Sequence, residues 1–327
     1  MTLNAQAKGP GASADSQGMT IVARTQGQMV RRRFFRHRAA LAGMLVFGFV
    51  IVLAFSSIGF AGIPGWWDKS YLDTGSLVNQ GRPTLSVVPG FLGGEGFRFG
   101  EHPFGQDDLG IDYFALTMRG AQQSLIVALI VGVVATTVGT VVGAVAGYFR
   151  KGAEAVLMRL TDVMITIPVL IIAAVVGQMT GKSGAVALGI FLGLVLWPTL
   201  GRLVRGEFLS LREKEFVEAA RAAGTSAKRI IFRHILPNTV GVIIVAATLS
   251  VANAVLLESA LSFLGFGIQP PDTSLGQLIN RYRSAMTVRP WLFWWPGIFI
   301  IAIALSINFI GDGLRDAFDP RQTRVRA

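Results

Sequence analysis

Six stretches of this chain carry no charged residue and are each long enough to cross a lipid bilayer: Ala39 to Trp67, Ser124 to Phe149, Val163 to Gly181, Ser183 to Gly201, Asn238 to Leu257 and Pro290 to Gly311. A helical span needs about 20 residues, each rising about 1.5 Å. Lipid forces every backbone N–H and C=O to be satisfied within the segment, so such stretches read as helices. Only Lys182 separates the third from the fourth, and a single uncharged helix of that combined length would overshoot the bilayer. Lys182 therefore marks a tight hairpin. The expected fold is an all-α polytopic membrane protein with six transmembrane helices.

Composition agrees. Only 15% of the 327 residues are charged, against about 25% in soluble proteins. There is no cysteine, and His37, His102 and His234 lie far apart in sequence. Disulfides, thiolate sites and a local zinc motif are thereby excluded, and no metal site is expected. The net charge of +11 fits the basic excess of cytoplasmic segments rather than a nucleic-acid partner.

The charge pattern orients the chain. With the N-terminus inside, the segments 1–38, 150–162, 202–237 and 312–327 hold 22 of the 30 Lys and Arg residues, and the outside segments hold 8. Both termini are therefore expected in the cytoplasm. Residues 1–38 form a polar tail ending in Arg31-Arg32-Arg33-Phe34-Phe35-Arg36-His37-Arg38, a retention charge before the first span at 39–67, read as an uncleaved signal anchor. Residues 68–123, rich in Gly and Pro with seven acidic and four basic residues, are expected to form a small external cap. The core is 124–311 with five further spans, followed by a cytoplasmic tail at 312–327.

Within the second span, Ala135, Gly139, Gly143 and Gly147 form a stripe of small residues that lets another backbone approach. The approaching backbone belongs either to this chain or to a partner subunit. Gly177-Gln178-Met179-Thr180-Gly181-Lys182-Ser183 superficially suggests a phosphate-binding loop, but it has three residues between its glycines instead of four and no preceding strand. No nucleotide site is expected there.

The cytoplasmic segment 202–237 is longer than a connection needs. Glu213 to Gly224 has high helix propensity, and Gly224 is a natural helix stop. Phe216, Ala219, Ala220 and Ala223 fall at i, i+3, i+4 and i+7, a ridge of mostly small side chains suited to a groove in another protein. Thr225 or Ser226 is positioned to cap a second helix through Ile235, which Pro237 is expected to break. In the spans, Asn253 and Glu258 are the polar candidates for a translocation pathway, with structural hydrogen bonding the alternative reading for each. Asp162 lies one turn after Arg159, where an ion pair between the two is expected. Pro168 and Pro198 are candidate kinks.

Glu218-Ala219-Ala220, Gly224 and Leu236-Pro237 resemble the signature loop of ABC importer permeases, with His234 standing where the general pattern has Ile. His102-Pro103-Phe104-Gly105, Asp107-Asp108-Leu109-Gly110, Ala146-Gly147-Tyr148, Leu261 to Gly265, Gly311 to Asp316 and Asp319-Pro320-Arg321 resemble the second permease of the dipeptide, oligopeptide and nickel branch. Ile111 stands where Arg is more usual. The resemblance covers residues 30 to 322. It implies a type I ABC importer permease fold and a subunit that moves peptide across the cytoplasmic membrane. Nickel or another small solute is the alternative cargo. The implied partners are a homologous second permease, two cytoplasmic ABC ATPase subunits and an external substrate-binding protein. ATP and Mg would be bound by the ATPase subunits, with no cofactor and no catalysis in this chain. Glu213 to Gly224 would be the coupling helix, with Phe216, Glu218, Ala219, Ala220, Ala223 and Gly224 at the ATPase contact. An ion-gradient transporter or an intramembrane enzyme would need paired ionisable groups, metal ligands or a nucleophile with its base at membrane depth; the six stretches lack them.

Overall fold

The structure, a computed structural model, describes residues 26–86, 96–180 and 184–319. The hairpin at Lys182 and the terminal tails at 1–25 and 320–327 lie outside the described residues. Helices α1 (Gln26–Phe34), α2 (Arg38–Ser57), α3 (Tyr113–Phe149), α4 (Lys151–Thr166), α5 (Val169–Thr180), α6 (Gly184–Leu211), α7 (Glu215–Ala222), α8 (Ala227–Arg229), α9 (Leu236–Phe263), α10 (Leu275–Tyr282) and α11 (Trp291–Phe318) account for most of the described chain. Five helical stretches are individually long and apolar enough to span a bilayer, and α4 with α5 makes a sixth if that bent pair is counted as one span.

Several boundaries differ from the uncharged stretches, each for a local reason. The first helix stops at Ser57 rather than near Trp67, because the chain turns at Gly59 (φ +77°) and folds back over the helix end. Trp66 and Trp67 donate backbone bonds to Ser56 and Ser57, and Gln122 Nε2 donates to the Ala54 and Gly59 carbonyls, both at 2.8 Å. The second span begins at Tyr113, well before Ser124. Asp112 caps it by accepting from Ala115 N at 2.8 Å. At 37 residues, α3 is about 55 Å long and projects beyond the hydrocarbon layer. The third span is broken: α4 and α5 meet at 86°. Pro168 forces the break, since Ile167 before it is extended (φ −82°, ψ 127°). Pro198 lies inside α6 without interrupting it.

The glycine stripe of α3 packs within this chain. A Cβ on Gly139 would stand 3.0 Å from the Trp197 carbonyl oxygen, one on Gly143 would stand 2.5 Å from Gly201 O, and one on Gly147 would stand 2.6 Å from Phe208 Cβ. The backbones of α3 and α6 thus touch along the stripe. A main core joins α2, α3, α9, α10 and α11, and a second core gathers Val204, Phe208, Val217, Ile230, Ile231 and Ile235.

Candidate coupling surface and its supports

Helix α7 is anchored on this second core through its one fully buried side chain. Val217 is fully buried among the residues of that core. Glu215 and Glu218 in the first turn and Arg221 in the last complement the helix dipole. The other side is open: Phe216 is 42% exposed, and Glu218, Ala219, Ala222 and Ala223 are exposed with it. Ala220 is half-buried and packs against the same core, so only part of the expected ridge faces outward. A small residue is needed at 220 because the bundle is close, whereas Ala219 and Ala223 are small on a face that this chain leaves uncovered.

Gly224 ends α7 with the expected left-handed backbone, φ +73°. Thr225 N donates to Ala220 O at 3.1 Å and Gly224 N to Arg221 O at 3.0 Å, the paired bonds of a Schellman stop. Beyond the adjacent residues, no atom of the chain lies within 4 Å of where a Cβ on Gly224 would be. Ser226 then stands at the N-cap of α8, without a side-chain capping bond.

Pro237 does not interrupt the helix that contains it. Residues 227–263 form one continuous helical span through a π turn at Ile230–Ile235. Leu236 N bonds to Ile231 O, five residues back, so the helix is already widened where proline would otherwise clash. Asn238 Nδ2 donates to His234 O at 2.6 Å, supplying a donor to a carbonyl of this wide turn. The same turn directs Ile230, Ile231 and Ile235 against Val217.

A family model described as "Binding-protein-dependent transport system inner membrane component" matches residues 139–324, and one for the "N-terminal TM domain of oligopeptide transport permease C" matches residues 25–65. The chain belongs to this permease family. The oligopeptide transport system permease protein OppC of Mycobacterium tuberculosis is 38% identical over 91% of this chain and 96% of its own length. OppC of Haemophilus influenzae is 35% identical over 93% of this chain and 91% of its own length. Among solved structures, an inward-facing MetNI methionine ABC transporter aligns with a TM-score of 0.52 at 21% identity, over 62% of this chain and 97% of the matched chain. The fold is that of a type I ABC importer permease, and the protein is a multi-pass inner-membrane protein.

Around α7 the permease carries a frame of ion pairs. Asp162 pairs with Arg202 at 2.5 Å rather than with Arg159, because α4 lies along α6 and presents the carboxylate across the helix interface. Nearer the start of α4, Glu154 accepts from Arg205 Nε at 2.8 Å, and Glu213 lies 3.5 Å from Arg150 and 3.2 Å from Arg212. These pairs tie the neighbouring ends of α3, α4 and α6 beside α7.

The two intramembrane candidates separate. Glu258 is fully buried inside the permease, accepting from Ser124 Oγ at 2.7 Å and Ser262 Oγ at 2.6 Å. Ser124 also accepts from Leu275 N at 3.4 Å, so the carboxylate joins α3, α9 and the start of α10. Asn253, on the same helix, is exposed. Nothing in the sequence distinguished these two, because the groups that meet at Glu258 come from three separate elements.

The motifs between α2 and α3 acquire structural roles that the sequence alone did not reveal. Asp107 Oδ1 accepts from Leu109 N at 2.9 Å and Ile111 N at 2.8 Å, and its Oδ2 accepts from Tyr282 OH at 2.8 Å. Burial and the adjacent Asp107 push the Tyr282 hydroxyl up, which keeps it a donor. His102 Nδ1 lies 2.7 Å from Asp112 Oδ2, and Gln106 Nε2 donates to Ser76 O and Gly110 O.

Proposed function

We propose that this permease forms one half of the membrane pathway of a peptide-importing ABC transporter, with α7 as its contact with an ATPase subunit. The exposed small-residue face of α7 carries this reading. A helix anchored by Val217 on one side and stopped by Gly224 offers Phe216, Glu218, Ala219 and Ala223 to a groove, while Ala220 seats the helix on the bundle. The names of the relatives support a peptide or oligopeptide cargo. A homologous permease supplies the other half of the pathway, two ATPases hold ATP and Mg, and an external binding protein delivers the peptide. This chain carries out no covalent chemistry and binds no cofactor. Both termini face the cytoplasm. Asn253 lines the pathway, and Glu258 holds the helices that shape it.

The test exploits the absence of native cysteine. Ala219→Cys and Ala223→Cys are introduced singly, and the assembled transporter is treated with a short thiol crosslinker. We expect each to crosslink to an ATPase subunit carrying a cysteine in its groove, and Ala12→Cys to give no such product. No crosslink from either alanine in an importing complex overturns the assignment. Uptake of labelled dipeptide, oligopeptide and nickel by the same complex identifies the cargo.

A further inference from the structure

The basic run before the first span does more than carry charge. In α1, Val30 and Phe34 face the bundle and pack with Ala40, Met44, Ile310, Leu314 and Ala317. Gly313 admits them: a Cβ there would collide with Ala40 Cβ and stand 3.3 Å from the Phe34 ring. The helix is thus fixed against the cytoplasmic ends of α2 and α11. Gln28, Arg31, Arg32 and Phe35 recur at i, i+3, i+4 and i+7 on its other face, and Phe35 N still bonds to Arg31 O at 3.1 Å. These four side chains line a shallow cleft of about 500 Å³.

The charges nearby are unequally used. His37 meets Asp316 at 3.4 Å, and Arg33 Nη1 donates to Asp319 O at 3.0 Å. Among the described residues no carboxylate pairs with Arg31, Arg32, Arg36 or Arg38, and all four are exposed. Phe35 stands beside them with 54% of its surface exposed, and Met29 with 38%.

We propose that this face of α1 binds the phosphodiester headgroup of an anionic phospholipid from the cytoplasmic leaflet. Two adjacent guanidiniums match a phosphate oxygen pair. The exposed phenyl ring argues for lipid over a free anion, because it gains only from the glycerol and acyl boundary below the headgroup. The start of α2 at Arg38 places the cleft at the level where such headgroups lie. The site rests on a cytoplasmic N-terminus, and the test includes that point separately.

The complete importer is reconstituted in nanodiscs of phosphatidylcholine with phosphatidylglycerol, and lipids retained after detergent exchange are counted by native mass spectrometry. At about 1 kcal/mol per basic residue, the wild-type preference for phosphatidylglycerol should exceed that of Arg31→Gln/Arg32→Gln by roughly 30-fold. Arg31→Lys/Arg32→Lys should retain most of it, and Phe35→Ala should lose a smaller part. Equal retention by wild type and the double glutamine variant overturns the proposal. Displacement of phosphatidylglycerol by millimolar inorganic phosphate, or loss of bound acidic partner protein in place of lipid, overturns it in favour of a simple anion or a protein surface. Labelling of Ala12→Cys from outside intact cells would refute the topology itself, a failure distinct from unaltered lipid counts in a correctly oriented protein.

Discussion

The permease has two large connections outside its spans, and they are built in opposite ways. The cap between α2 and α3 is stitched densely, both to itself and to the neighbouring helices. Asp107 takes three hydrogen bonds, Gln106 bridges Ser76 and Gly110, and Asp112 joins His102, Trp67 and the start of α3. The elbow around α7 has a single fully buried anchor, Val217, and an exposed apolar and acidic face. A segment whose polar groups are satisfied internally gains its stability alone. A segment that leaves such a face open gains the remainder from a partner. Damage to the cap should therefore register as lost protein, and damage to the elbow as lost coupling.

The largest expected effect tests the cap. Asp107→Ala removes the acceptor for Leu109 N, Ile111 N and Tyr282 OH in a buried setting. Leaving such donors unpaired costs about 1–3 kcal/mol for each neutral group. We expect loss of more than half the membrane-inserted protein and a clear drop in thermal stability; normal abundance and melting would break the contrast between the regions. Glu258→Ala comes next. It strips the shared acceptor from Ser124 and Ser262 and should destabilise by roughly 2–3 kcal/mol. Glu258→Gln keeps an acceptor oxygen and should recover at least half of that. If both variants are equally stable yet neither imports, Glu258 acts on the cargo and not on the helices.

The spans were legible because charge is so costly in lipid that its absence marks them. Their ends were not, because an apolar run carries no stop signal of its own. At Ser57 the stop comes from the turn at Gly59 and from Gln122 reaching back. Conversely, residues 113–123 look like loop because of Arg119, Gln122 and Gln123, yet they are helical. Arg119 is held by Asp272 at 2.8 and 2.9 Å, across a separation of 153 positions in sequence. Helix α7 could be found from propensity and its glycine stop. Which alanine faces the bundle could not, since that depends on where Val217 is received by Ile230, Ile231 and Ile235 across the π turn. The Asp162 partner was misread for the same reason: Arg202 becomes a neighbour only once α4 lies along α6.

The elbow answers to smaller changes. Val217→Ala deletes two methyl groups from the second core and should cost about 2 kcal/mol, by analogy with other large-to-small core changes. Loosening α7 should lower ATPase stimulation by the binding protein more than it lowers membrane abundance. Equal losses in both would mean that the elbow is as self-contained as the cap.

The smallest structural change gives the sharpest separation, because the fold provides a matched control. Gly224 has φ +73° and Gly184 has φ +85°, and beyond the adjacent residues neither has any atom of the chain within 4 Å of the place a Cβ would occupy. Substituting aspartate at either site therefore creates no clash within the chain and costs only the left-handed backbone strain, about 1–2 kcal/mol. Stability, measured by thermal unfolding of the purified permease, should fall by the same small amount in Gly224→Asp and Gly184→Asp. Their effects on transport should diverge. Gly224→Asp adds a branched, charged side chain at the open end of α7, where it meets whatever seats on Ala219 and Ala223, so ATPase co-purification and peptide uptake should be lost. Gly184→Asp, at the start of α6, should leave both near wild type. Equal uptake by the two variants would show that the exposed end of α7 contacts nothing that matters for import. Equal loss would show that strain alone, rather than a blocked contact, is what the transporter cannot tolerate.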